Sequence, residues 1–147
     1  MRDAVGGSLL LNLVVIFTSI VILFFAGIMA YSKAYKSKNK IIEVIESYEK
    51  YDRDVAEVIN EDLKLSGYRN ANLTQISQKC GTKATTGNMN EYGYYYCVYP
   101  VGNCSTDKDG CSYKVVTFVH FDFPVIGNLL VFPVKGETRI LGKKYDY

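Results

Sequence analysis

The sequence predicts an α+β protein in which one long N-terminal helix, membrane-spanning in its first half, packs on a small three-stranded antiparallel sheet with disulfides. Three observations predict it. Ala4 to Ser32 contains no charged residue, Ser32 to Ser66 keeps a helical apolar period without Pro or Gly, and the remainder carries all four cysteines among three strand-type segments. The 147 residues are about one domain's worth of chain. They divide into 1–32 with the apolar span, 33–67 as an amphipathic helical extension and 68–147 as a disulfide-bonded β region. A formal net charge of +2, from 17 Lys plus Arg against 15 Asp plus Glu, is no footprint for nucleic acid. One His and no Trp leave little equipment for catalysis, and an ordinary soluble cytoplasmic enzyme is excluded most firmly.

The first element is the apolar run. A helix crossing the hydrocarbon core needs about 20 apolar residues, and Leu9 to Tyr31 supplies them with Asn12, Thr18 and Ser19 as polar interruptions. A cleaved secretory signal has an apolar stretch of about 7–15 residues; this one is longer, and the helical pattern continues past it. A retained single span is expected, with the membrane as a partner. Lys33, Lys36, Lys38 and Lys40 follow the span while only Arg2, offset by Asp3, precedes it, which by charge bias alone would put the C-terminal part in the cytoplasm. The even set of cysteines argues the other way, and a whole translocated domain weakens the charge rule. The C-terminal domain is expected to be extracytoplasmic.

The second element is a charged helix. Ile41, Ile45, Tyr48, Val55, Ile59 and Leu63 recur at helical spacing, widened by Ile42, Val44 and Val58. Glu46 with Lys50, and Glu49 with Arg53, stand at i,i+4 and would support the exposed side. Gly67 is placed as a C′ stop. If the two helical stretches join, one helix runs roughly from Leu9 to Ser66, about 85 Å at 1.5 Å per residue. The stripe reads as core packing against the C-terminal domain, with coiled-coil pairing as the alternative and Asp52 as a polar interruption.

The third element is the β region. Asn70 to Asn90 is polar, with little periodicity, and reads as a loop. Strands are expected at Tyr94 to Tyr99, Tyr113 to Phe123 and Leu130 to Ile140, the last marked as an edge or a bend by Pro133. Cys80, Cys97, Cys104 and Cys111 have no histidine cluster or CxxC pair beside them, which favours disulfides in an oxidising space over zinc. Four cysteines allow three pairings. The favoured one clips Cys104 to Cys111 across a turn-rich loop and ties Cys80 to Cys97.

Sites for chemistry are few. Asp107 to Gly110 resembles part of a calcium loop, but the twelve-residue count from Ser105 ends on Val116 where a bidentate Glu is required. His120, with Asp122 two residues on, has no nucleophile motif beside it. The thirteen tyrosines, with the run Tyr94 to Tyr96, read as strand packing or as a sticky surface. No catalytic residue, metal ligand or cofactor is expected.

A long helix, half in the membrane and half on a small antiparallel sheet, resembles the plan of type IV pilins. The closest resemblance is to the TadE/TadG-like pseudopilins of tight-adherence (Flp-type) pilus systems. It rests on RDAVGGSLLLNLVVIFTSIVILFFAGIMAYSKAYKSKNKIIEVI and on KVVTFVHFDFPVIGNLLVFPVKGETRIL, about half of the chain. The resemblance implies a structural or assembly subunit of a surface filament, with other pilin-like subunits as partners through the N-terminal helix. It also implies leader processing at Gly6 and Gly7. A cut after Gly7 would put Asn12 at mature position five, where the family often has a Glu thought to pair with a neighbour's N-terminal amine; Asn12 offers a hydrogen bond instead. The alternative is a non-polymerising membrane-anchored adhesin or accessory module whose surface ligand the sequence does not name.

Overall fold

The computed structural model describes residues 2–68, 78–81, 83–85, 94, 96–102, 104, 110–120 and 131–142, with side chains from residue 7 onward and without that of His120. Five elements occur in chain order: α1 (Arg2–Tyr48), α2 (Arg53–Leu65), β1 (Tyr96–Val101), β2 (Ser112–His120) and β3 (Val131–Glu137). The strands form one antiparallel sheet in the order β1-β2-β3.

The helix from Leu9 does not run on to Ser66. α1 stops at Tyr48, Glu49 takes a left-handed backbone at φ 53°, and α2 restarts at Arg53. Asp52, the apparent interruption of the stripe, is the N-cap of α2: its carboxylate accepts from Val55 N–H at 3.0 Å, satisfying one orphan donor of the first turn. Lys50 pairs with Asp52 as well. The Lys50 ammonium, together with the Val55 N–H, holds the Asp52 carboxyl below its ordinary range. α2 then runs back along α1, with Asp62 reaching Lys40 at 3.9 Å. Its end is the one Gly67 predicts: Gly67 at φ 62° lets its own N–H reach Lys64 O at 3.1 Å and Tyr68 N–H reach Leu63 O at 2.9 Å.

Folding back explains the stripe. Ile41, Val44 and Ile45 of α1 and Val55, Ala56, Ile59 and Leu63 of α2 are buried in one cluster with Tyr96, Val98, Tyr113 and Val115 of the sheet. The core-packing reading of those residues holds, although Tyr48 is half exposed at the end of α1. Tyr51, in the connection, turns inward beneath them, its hydroxyl 3.4 Å from that of Tyr96. Burial pushes the Tyr51 phenol up to about 12 and that of Tyr96 well above its ordinary value, so both stay neutral packing groups.

Both faces of the central strand are used. Thr117 donates to Ala34 O at 3.1 Å, which sets the odd residues of β2 against α1. On the other face Cys97 pairs across to Val116 and is bonded to Cys80, so the 78–81 segment covers that side; residues 78–80 form a helical turn inside the expected loop. Pro133 is tolerated because β3 is an edge strand, opposite Phe118. Phe118 directs its backbone groups toward the β1 side, one position past the last β1 pair. There the Tyr68 hydroxyl accepts from Phe118 N–H at 3.0 Å and donates to Phe118 O at 3.1 Å, bonding both backbone groups as a strand partner would.

Tyr68→Phe removes both of these hydrogen bonds to the Phe118 backbone. Its expected cost is about 1–3 kcal/mol, read as a lower urea midpoint by circular dichroism in detergent with an unchanged m-value; an unchanged midpoint would show that the hydroxyl is dispensable.

Candidate functional site

The most exposed apolar surface described is the first half of α1. Leu9, Leu10, Leu11, Leu13, Ile16, Phe17, Ile22 and Phe24 are each about two-thirds exposed, and nothing else among the described residues covers them. Among the described residues this is one helix long and apolar enough to cross a membrane. Its polar interruptions suit that solvent. Thr18 Oγ1 donates to Val14 O at 2.7 Å and Ser19 Oγ to Val15 O at 2.8 Å, so neither hydroxyl needs a partner outside the helix.

Asn12 is exposed on this bare segment. Gly6 and Gly7 lie inside α1, and nothing comes within 4 Å of the position a Cβ would take on Gly7. These three residues share one end of the helix, remote in sequence and in contacts from the globular part.

The apolar run and the stretch that packs on the sheet belong to one continuous helix. α1 is 47 residues long without a break, about 70 Å at 1.5 Å per residue. Ala30 and Ala34, at the end of the apolar run, already pack on Val119 and Val134 of the sheet. Further along, a Cβ on Gly136 would come within 2.7 Å of Ile42 Cδ1 and 2.8 Å of Lys38 Cδ, so β3 lies close against α1 because Gly136 has no side chain. At the far end Arg139 N–H donates to Glu46 Oε1 at 2.7 Å and the guanidinium reaches Glu46 O at 3.5 Å, tying the last turn of α1 to the chain beyond β3. Thr138, the hydroxyl residue before that Arg, exchanges two 2.9 Å hydrogen bonds with Tyr113.

The four cysteines form the favoured pairs, Cys80–Cys97 with Cα atoms 5.6 Å apart and Cys104–Cys111 with Cα atoms 4.9 Å apart. The first is buried, with Tyr99 donating to Cys80 O at 2.9 Å beside it. The second closes the β1–β2 connection, and Cys111 is held in turn by a bridge to Leu141. Asp107 to Asp109, the Asp122 carboxyl and most of Asn70 to Asn90 lie outside the described residues, as does the His120 side chain. Among the described residues, no group of three or more His, Cys, Asp or Glu is placed to hold a metal. Tyr94 and Tyr96 are buried, so these two serve packing rather than an outer surface.

No protein-family model, curated protein or solved structure matches the chain. Function must be argued from the arrangement itself.

The two disulfides are unequal. Closing 17 residues of sequence against 7 is worth about 3 and about 2 kcal/mol on a chain-entropy scale, and Cys80–Cys97 also fills the core. Cys80→Ala with Cys97→Ala should therefore lower the urea midpoint more than Cys104→Ala with Cys111→Ala. The reverse order would contradict this ranking.

Proposed function

We propose that the protein is a pilin-like structural subunit, of the pseudopilin type, in a bacterial surface filament or its assembly machinery. Under this reading it is anchored by a single span, its β region is extracytoplasmic, and it has no enzymatic role. The observation that carries the reading is the continuity of α1: one unbroken helix is bare over its first half and buried in the globular core over its second.

A tether needs only enough apolar residues to hold a domain at the membrane, and a flexible joint serves it well. A filament subunit has a stricter requirement. When bare helices leave lipid they must be covered, and packing many of them side by side does so by burying apolar area. The outer domains then take up regular positions only if each is fixed to its helix. The Ala30 and Ala34 contacts and the Glu46–Arg139 clamp supply that fixation at both ends of the seam. Asn12, exposed in the apolar stretch, would hydrogen-bond a neighbouring subunit there, and processing at Gly6 or Gly7 would expose the start of the packing surface. Two disulfides fit a small domain that works in an oxidising space.

The test shears native cells and probes filaments and washed membranes on a non-reducing gel. The subunit should appear in sheared filaments with a mobility that shifts on reduction. Val21→Lys, or replacement of Leu9 to Tyr31 by an unrelated apolar span, should abolish its recovery in filaments, while carbonate extraction confirms insertion of the replaced span. Normal function with an unrelated span, and retention wholly in the membrane while pili are made, would instead favour the non-polymerising surface module.

A further inference from the structure

The globular part brings apolar and basic groups to the level where the span ends. β3 runs alongside α1 in the same direction: Val134 packs with Ala30 and Ala34, Gly136 approaches Lys38 and Ile42, and Arg139 meets Glu46. Phe132 lies two residues before Val134 on the same side of the sheet, which puts it at the end of the apolar run, and it is 52% exposed. α2 runs the opposite way, so its last turn returns to the same level, where a Cβ on Gly67 would lie 3.7 Å from Lys33 Nζ. Leu65 in that turn is 86% exposed, more than any other large apolar side chain described.

Between α2 and α1 a cleft of about 520 Å³ opens beside this turn, lined by Lys33, Lys36, Lys40, Asp62, Leu65 and Ser66. Lys40 is engaged with Glu43 and Asp62, whereas no carboxylate among the described residues lies within 4.0 Å of the Lys33 or Lys36 ammonium. An exposed leucine beside such lysines, with an exposed phenylalanine on β3 at the same level, supplies the groups that an amphipathic membrane contact uses.

The geometry points to a second membrane contact: Leu65 and Phe132 enter the interfacial layer, and Lys33 and Lys36 hold the phosphate of an anionic phospholipid headgroup in the cleft beside α2. It rests on the reading that α1 spans the bilayer. The globular part then sits down on the membrane rather than standing off it on a stalk. Leaving the membrane requires releasing this contact as well as extracting the helix.

The chain has no tryptophan, so a single introduced one reports its own site. Leu65→Trp, Phe132→Trp and, as a control, Ile140→Trp are made in the full chain. Ile140 is 57% exposed but adjoins the Glu46 end of the seam, about 24 Å along α1 from Ala30. Each variant is reconstituted in phosphatidylcholine bilayers with and without phosphatidylglycerol, and its disulfides are checked by mass mapping. Trace doxyl-labelled phosphatidylglycerol should quench and blue-shift the first two variants but not the third, and should do so more strongly than doxyl-labelled phosphatidylcholine. Adding Lys33→Gln and Lys36→Gln should reduce that lipid preference by about fivefold per lysine. Leu65→Trp and Phe132→Trp left unquenched in protein that floats with vesicles and resists carbonate would overturn this contact and leave the span standing. Equal quenching by the two lipids would overturn the role of the lysines. Failure to float or resist carbonate would overturn the span itself, and the contact with it.

Discussion

The sheet completes its inner face with residues that belong to the long N-terminal helix α1. Ala34, Ile41 and Ile45 of α1 lie against β2 and β3, and Ile45 has no exposed surface at all. Burying an aliphatic side chain of this kind is worth about 1.5–3 kcal/mol, so a few such residues account for a large part of a small domain's stability. Three strands alone do not enclose a core of this kind; the seam with α1 does, and α2 closes it from the second side. Where the domain sits, and how it is oriented, depend on the same seam.

That dependence links folding to the proposed assembly role. A helix that is apolar on every side has no stable place in water, while the half beyond it is amphipathic and needs the sheet. Because the two halves are one element, any surface that covers the first half also fixes the position of the second. Gly136 allows the close approach of β3, and the Arg139–Glu46 contact fastens the end of the helix, so rotation of the domain about α1 would break packing and polar contacts together. A filament built on α1 would inherit this geometry. So would a subunit held in a bilayer by α1, in which the return of α2 would bring the basic cleft and exposed Leu65 to the bilayer level.

Much of this was legible in the residues. The long apolar helix, the three strands, the edge position of Pro133 and the Gly67 stop are signalled locally, by composition, alternation and backbone permissiveness. The Cys104–Cys111 clip was legible in the loop spacing, and Cys80–Cys97 only as the pair left over. The break between α1 and α2 was not, because residues 48 and 55 are seven apart and a continuous helix keeps them on one face. Periodicity therefore cannot distinguish one long helix from two antiparallel ones. No Pro or Gly marks the turn, and the left-handed residue is Glu49. Asp52 carried the signal, as a capping residue three before Val55, but in a charged helix it reads equally as a polar interruption. The Tyr68 hydroxyl on Phe118 and the Glu46–Arg139 clamp join residues 50 and 93 apart in sequence. Such pairings depend on the tertiary fold and leave no local pattern. The basic cleft had a partial signal in the lysines after the span, which read as a charge bias because the return of α2 was not foreseen.

Native-state hydrogen exchange of the full chain in lipid, followed as urea is raised, tests the shared seam most directly. Amides of Ile41–Ile45 should lose protection in the same cooperative step as Val115–Val119, while those of Leu13–Leu23 remain protected by the bilayer. Persistent protection of Ile41–Ile45 after the strands have exchanged would contradict the account, because the helix would then not depend on the sheet that it helps to fold.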